Sequence, residues 1–84
     1  MDLPIKIKLK HPVQFGSETI SEMNITRAMT AGDIAEIKIT KIEEITTGEV
    51  LTAVGKLVGH PRAVMDSIDP RDLGQIVEVF TSFF

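Results

Sequence analysis

The chain has 84 residues, a formal net charge of −3 and no cysteine. This length suits a single small domain with one core, and the charge provides no basic field to attract nucleic acid. The lack of cysteine excludes disulfides, thiolate catalysis and cysteine-ligated zinc. With 43% hydrophobic and 25% charged residues, the composition is that of a globular protein.

Residues 1–28 predict a β-hairpin. Apolar residues at every second position from 3 to 9 alternate with lysines, the pattern of a half-buried strand. The lysines are Lys6, Lys8 and Lys10. Pro12 cannot donate to a ladder, so we expect regular pairing to end there. Gly16 supplies a turn, and a second strand follows over about residues 19–27, in which Ile20 breaks the alternation and predicts a bulge or a shifted start.

A helical part is expected over residues 30–84. Thr30 and Asp33 have the spacing of a capping box, which predicts a first helix over residues 31–45. Ile37, Ile39 and the β-branched Thr40 also alternate as a strand would, so a strand remains the alternative for this segment.

A second capping box, Thr46 with Glu49, opens the next helix. That helix is expected to end at Gly59, which suits a left-handed C-terminal cap. Pro61 either prevents continuation beyond this point or begins a short helical turn over residues 61–66.

The last helix is expected to start at Asp69, with Pro70 at its first position and Asp72 at its third, both carboxylates serving the helix start. The predicted fold class is therefore α+β: an N-terminal β-hairpin followed by three to four helices, in one domain over residues 1–84.

The apolar face of the last helix is wider than one core contact requires. At 100° per residue its apolar residues spread over roughly 160°, against ~100° for an ordinary surface helix. They are Leu73, Ile76, Val77, Val79, Phe80, Phe83 and Phe84. The part of this arc beyond one core contact is carried by Val79 and Phe83, and the hairpin, a second copy or a client could cover it. We predict that Val79, Phe80, Phe83 and Phe84 contact a partner, with packing on the hairpin as the alternative.

Other clusters do not indicate chemistry. Asp66, Asp69 and Asp72 lack the alternating ligands and glycine of a calcium loop, and His11 and His60 lack further zinc ligands. No catalytic residue, metal or cofactor is expected, so the chain is predicted not to be an enzyme. The lysines of the first strand have no stacking aromatics beside them and are interpreted as protection of a strand edge, without nucleic-acid binding.

Three stretches carry a family likeness: IKLKHPVQFGSETISEMNITR, TAGDI and LVGHPRAVMDSIDPRDLGQIVEVFTSFF. With them the chain resembles the small tail assembly chaperones of Mu-like contractile-tailed phages and prophages. The isoleucines of residues 34–45 depart from the leucine and alanine that the family leads one to expect.

The resemblance implies a non-catalytic protein that binds the long helical tape measure protein and keeps it soluble until tail tube subunits replace it. It also implies self-association, and a longer form of the same protein made by a ribosomal frameshift. The resemblance further implies that the protein is absent from the mature virion. The bacterial host cytoplasm is the expected location, because the chain has neither a signal peptide nor an apolar stretch that could span a membrane.

Two other functions remain open at this point. A small helical DNA-binding or regulatory domain would need a positive recognition helix, whereas the last helix carries Asp72 and Glu78 against Arg71. A structural tail subunit would instead be retained in the virion.

Overall fold

In the part of the chain that the structure describes, a β-hairpin packs against three α-helices around a shared core. The computed structural model describes residues 3–35, 37 and 44–84. Strands β1 (Ile5–Phe15) and β2 (Glu18–Ile25) pair antiparallel, and the helices are α1 (Thr47–Val58), α2 (Arg62–Asp66) and α3 (Leu73–Thr81). Turns of 3₁₀ helix lie at Ala31–Ile34 and Pro70–Asp72. The predicted α+β class, with a hairpin preceding the helices, is confirmed.

Strand β1 is longer than predicted because its pairing is interrupted and then resumes. The ladder joins Ile5–Lys8 to β2 and starts again at Val13, with a register shift between Lys8 and Val13. Pro12 lies inside this interruption, where its missing N–H costs no ladder bond. The prediction that pairing would stop at Pro12 was therefore wrong, since the strand continues to Phe15.

The same irregularity explains the pattern of β2. Lys8 faces Glu22 and Val13 faces Ile20, so residues 9–12 of β1 stand opposite residue 21 of β2. Ile20 and Met23, three positions apart, are both buried. The irregularity predicted from Ile20 is confirmed, and the additional residues belong to β1.

The first capping box forms, but the helix after it differs from the prediction. The Asp33 carboxylate accepts hydrogen bonds from the Thr30 N–H at 2.8 Å and from the Arg27 guanidinium at 2.7 and 2.9 Å. These bonds, that of Arg27 above all, hold the pKa of the buried Asp33 carboxyl well below its usual range. The 3₁₀ turn ends at Ile34, and Ile37 lies in a bend.

The remainder of that predicted helix, at residues 36 and 38–43, lies outside the described residues, as do the positions Ile39 and Thr40 of the strand alternative.

Helix α1 has the predicted start and end. Thr46 and Glu49 cap each other, with the Glu49 N–H donating to Thr46 Oγ1 at 3.2 Å and the Thr46 N–H donating to Glu49 Oε1 at 2.8 Å. Gly59 ends the helix at φ 76°, in the left-handed region. Pro61 is the N-cap of the short helix α2. This is close to the second of its two predicted roles, the first residue of a short helical turn.

A glycine in α1 allows α2 to approach closely. A Cβ atom on Gly55 would lie 3.0 Å from the His60 carbonyl oxygen and 3.0 Å from Met65 Cγ. Hydrophobic residues from the hairpin and from all three helices then form one buried cluster. Its largest fully buried side chains are Phe80, Ile7, Met23, Ile25, Met65, Ile76 and Val54.

Candidate interaction surface on the last helix

The start of α3 is fixed by two aspartates with different roles. Asp69 accepts the Arg71 N–H at 2.9 Å, and Pro70 follows it, as the sequence predicts. The side-chain bonds from Arg71 also hold the pKa of the Asp69 carboxyl well below its usual range. Asp72 makes no side-chain cap bond to α3, so its predicted capping role was wrong.

Asp72 instead ties α3 to the interrupted part of β1. Its buried carboxylate accepts the backbone N–H groups of Lys10 at 3.1 Å and His11 at 3.0 Å. Burial by itself raises the pKa of Asp72, but the two N–H donors together with the nearby His11 side chain outweigh it and leave that pKa below its usual value. The register shift leaves these two N–H groups without ladder partners. A side chain about 60 positions away in the chain supplies their hydrogen-bond acceptors instead.

A second bond continues this attachment. The Gln75 side-chain amide donates to the Lys8 carbonyl oxygen at 2.8 Å. Asp72, at the N-cap of α3, and Gln75, in its first turn, therefore hold the helix along β1. Val79, one turn beyond Gln75, lines a cavity together with Ile5. The hairpin and the last helix form one supported surface.

The four residues predicted to bind a partner lie in different environments. Phe80 is 1% exposed and belongs to the core. Val79 and Phe83 are half-buried and pack against that core, whereas Phe84 is 53% exposed. The Phe84 ring stacks on the Phe80 ring at a tilt, with 5.1 Å between centroids. Phe80 therefore packs against Phe84 from the core side, and its own side chain is not accessible to a partner.

The most exposed apolar side chains of the last helix lie on the flank opposite the one expected. Ile76 and Phe80 define its buried side, so Val79 lies on one flank while Val77 and Phe84 lie on the other. Val77 is 38% exposed. We call Val77 and Phe84 the outer flank. The sequence prediction placed the excess on Val79 and Phe83 because helical period alone does not tell which flank the hairpin covers.

The Val79 flank borders a groove between the start of β1 and α3. This β1–α3 groove has a volume of about 390 Å³ and is lined by Ile5, Gln75, Glu78, Val79 and Ser82. Ile5 and Val79 supply its apolar walls, and the side chain of Glu78 is exposed at its edge.

Another cavity, of about 320 Å³, lies at the start of α1. The Arg62 side chain on its wall is held by Asp66 at 2.6 Å and by Thr52 Oγ1 at 2.8 Å. Through the bond to Thr52 the Arg62 guanidinium joins α2 to α1.

The described part of the chain shows no group of three or more His, Cys, Asp and Glu side chains arranged to hold a metal. In the residues that the structure covers, no helix has both the length and the apolar character needed to cross a bilayer. The β1 lysines are exposed, and Lys6 Nζ lies 3.9 Å from a carboxylate oxygen of Glu22 on the neighbouring strand.

Comparison with known proteins gives one family. The model of a family described as phage tail assembly chaperone proteins, E, or 41 or 14, matches residues 6–84. Searches of curated proteins and of solved structures give no match. The matched span includes α3, the outer flank and most of the β1–α3 groove.

Proposed function

Because the chain belongs to the phage tail assembly chaperone family, we propose that it binds the tape measure protein and keeps it soluble while the tail is built. Chaperones of this kind are generally non-catalytic, and we extend that to this chain. The proposed site of action is the bacterial host cytoplasm, and the protein leaves before the virion is complete.

The observation that carries the proposal is the outer flank. Val77 and Phe84 are 38% and 53% exposed. Val77 stands on α3, which Asp72 and Gln75 fix to the hairpin, and Phe84 follows the helix and packs on the Phe80 ring. Apolar side chains held on a rigid support are suited to cover an apolar helical stripe, since little side-chain and backbone entropy is lost on binding. A long client with such stripes is insoluble until they are covered.

The small size of this surface suits temporary binding. Two exposed side chains give each copy a modest affinity, so tail tube subunits can displace it later. Covering a long client then takes many copies, which is the reason to include self-association in the proposal. A longer frameshifted form would share the same outer flank and could bind the same client.

Co-expression with the tape measure protein tests the proposal. The wild-type chain is expected to keep that protein in the soluble fraction and to co-purify with it. Val77→Ser combined with Phe84→Ser is expected to abolish both effects. Phe15→Ser is the matched control, because Phe15 is 41% exposed at the hairpin turn, outside α3. Equal solubility with all three proteins would contradict the proposal, as would recovery of the chain in purified virions at the copy number of a structural subunit.

A further inference from the structure

The β1–α3 groove has features that the outer flank lacks. We propose that it receives two apolar side chains, one helical turn apart, from an amphipathic client helix that carries a basic residue beside them. This inference rests on the proposed function and adds which face of the client is recognised.

The size and lining of the groove fit an apolar pair. Its volume of about 390 Å³ falls within the ~300–1,000 Å³ range of binding clefts. Ile5 on β1 and Val79 on α3 are both half-buried, so each still presents part of its side chain to the groove. Side chains four positions apart on a helix lie about 6 Å apart along its axis, which lets both enter one short groove.

The apolar wall continues beyond the groove into the turn that follows α3, where the Phe83 N–H still donates to the Phe80 carbonyl oxygen at 3.2 Å. Phe83 follows Val79 by four positions and is also half-buried against the core. Residues at this spacing lie one above the other on a helix. A client helix lying over Val79 would therefore meet Phe83 at its next turn, which favours a helical occupant over a single inserted side chain.

The charge at the groove favours a basic occupant. Glu78 is exposed at its edge, and no ion pair of the described residues involves it. The groove runs along α3 from Gln75 to Ser82, so one of its ends lies at the C-terminus of the helix, where the helix dipole adds negative potential. Lys6 does not neutralise this edge, because its ammonium lies near Glu22 on the outward face of the hairpin.

The other polar groups of the lining are already occupied. Gln75 donates to the Lys8 carbonyl oxygen, and Ser82 Oγ donates to the Val79 carbonyl oxygen. Glu78 is consequently the side chain of the groove that can distinguish basic from acidic partners. The formal net charge of −3 on the chain further favours encounter with a basic helix.

Fluorescence anisotropy with designed peptides tests this assignment. The probe is an alanine-rich helical peptide of about 20 residues with two leucines one turn apart and flanking lysines. A second peptide replaces the lysines with glutamates. The wild-type chain is expected to prefer the lysine peptide, and Glu78→Lys is expected to weaken that binding roughly three- to tenfold and to improve binding of the glutamate peptide.

Glu18→Lys is the matched control. Glu18 is exposed at the start of β2, so this variant changes the net charge equally without altering the groove. An equal loss with Glu18→Lys would overturn the assignment, as would failure of the leucine peptides to bind. Such a failure leaves the proposed function standing if the tape measure protein still co-purifies with the wild-type chain. If the peptides bind as expected but the tape measure protein does not co-purify, the proposed function is what fails.

Discussion

The two phenylalanines that contact each other at the end of α3 should respond very differently to truncation. Phe80 is 1% exposed, and removing a buried phenyl ring typically costs about 3–5 kcal/mol. Phe84 is 53% exposed, so its truncation removes only about half of the ~1.5–3 kcal/mol that a fully buried side chain contributes to stability. Losing its contact with the Phe80 ring adds about 0.5–1.5 kcal/mol. We therefore expect Phe80→Ala to cost about 3–5 kcal/mol and Phe84→Ala about 1–3 kcal/mol.

Urea unfolding followed by far-UV circular dichroism measures both values. For a domain of 84 residues, a total stability of roughly 4–13 kcal/mol is typical. Phe80→Ala thus removes a large share of it, whereas Phe84→Ala should leave a folded protein whose melting temperature falls by roughly 4–24 °C. Equal losses for the two variants would refute the division of α3 into a core side and an outer flank.

Two carboxylates give further tests. Asp72→Asn should lower the urea midpoint clearly more than Asp66→Asn. The Lys10 and His11 N–H groups bond different oxygens of Asp72, and asparagine keeps only one of these two acceptors, whereas Asp66 pairs with Arg62 at the surface. Equal midpoints would argue against the attachment to β1. The depressed pKa of Asp33 contributes stability above the ordinary carboxyl pKa of about 3.9, and this contribution is lost as pH falls through the lower folded value. Asp33→Asn should therefore destabilise the protein at pH 7, and its difference from wild type should shrink below about pH 4 when denaturant midpoints are compared; a difference independent of pH would contradict this reasoning.

The helix starts and ends were largely predictable because their signals are local. Thr46 and Glu49 satisfy each other's backbone within four residues of chain, and Gly59 adopts its left-handed conformation without distant partners. Asp69 with Pro70 is another local signal. Such patterns depend on short-range sterics and hydrogen bonds that a sequence displays directly.

The attachment of α3 to β1 could not be predicted in the same way. At the level of sequence, Asp72 is indistinguishable from an ordinary helix-start carboxylate. Its actual partners are backbone groups of Lys10 and His11, which become available because β1 loses its register near Pro12. Ile20 and Pro12 mark the strand irregularity in the sequence, but no local pattern shows that the last helix docks against it or that Asp72 accepts its N–H groups.

The candidate site was predictable in outline only. The helical periodicity correctly indicated that the apolar arc of the last helix is wider than one contact with the core requires. It did not indicate that Phe80 would point into the core or that Val77 would be more exposed than the flank of Val79. Those outcomes depend on where Ile5 and the rest of the hairpin lie beside α3. The sequence signal that could have identified Val77 is its position at the edge of the apolar arc opposite Val79.

Amide hydrogen exchange of the chain with and without the tape measure protein tests the central claim most directly. If the last helix and the start of β1 receive the client, peptides covering residues 76–84 and 5–8 should gain protection on binding, because their amides become less accessible and open less often. Peptides covering the hairpin turn at residues 14–19 should exchange as before. Protection confined to that turn, with residues 76–84 unchanged in a stable complex, would contradict the account.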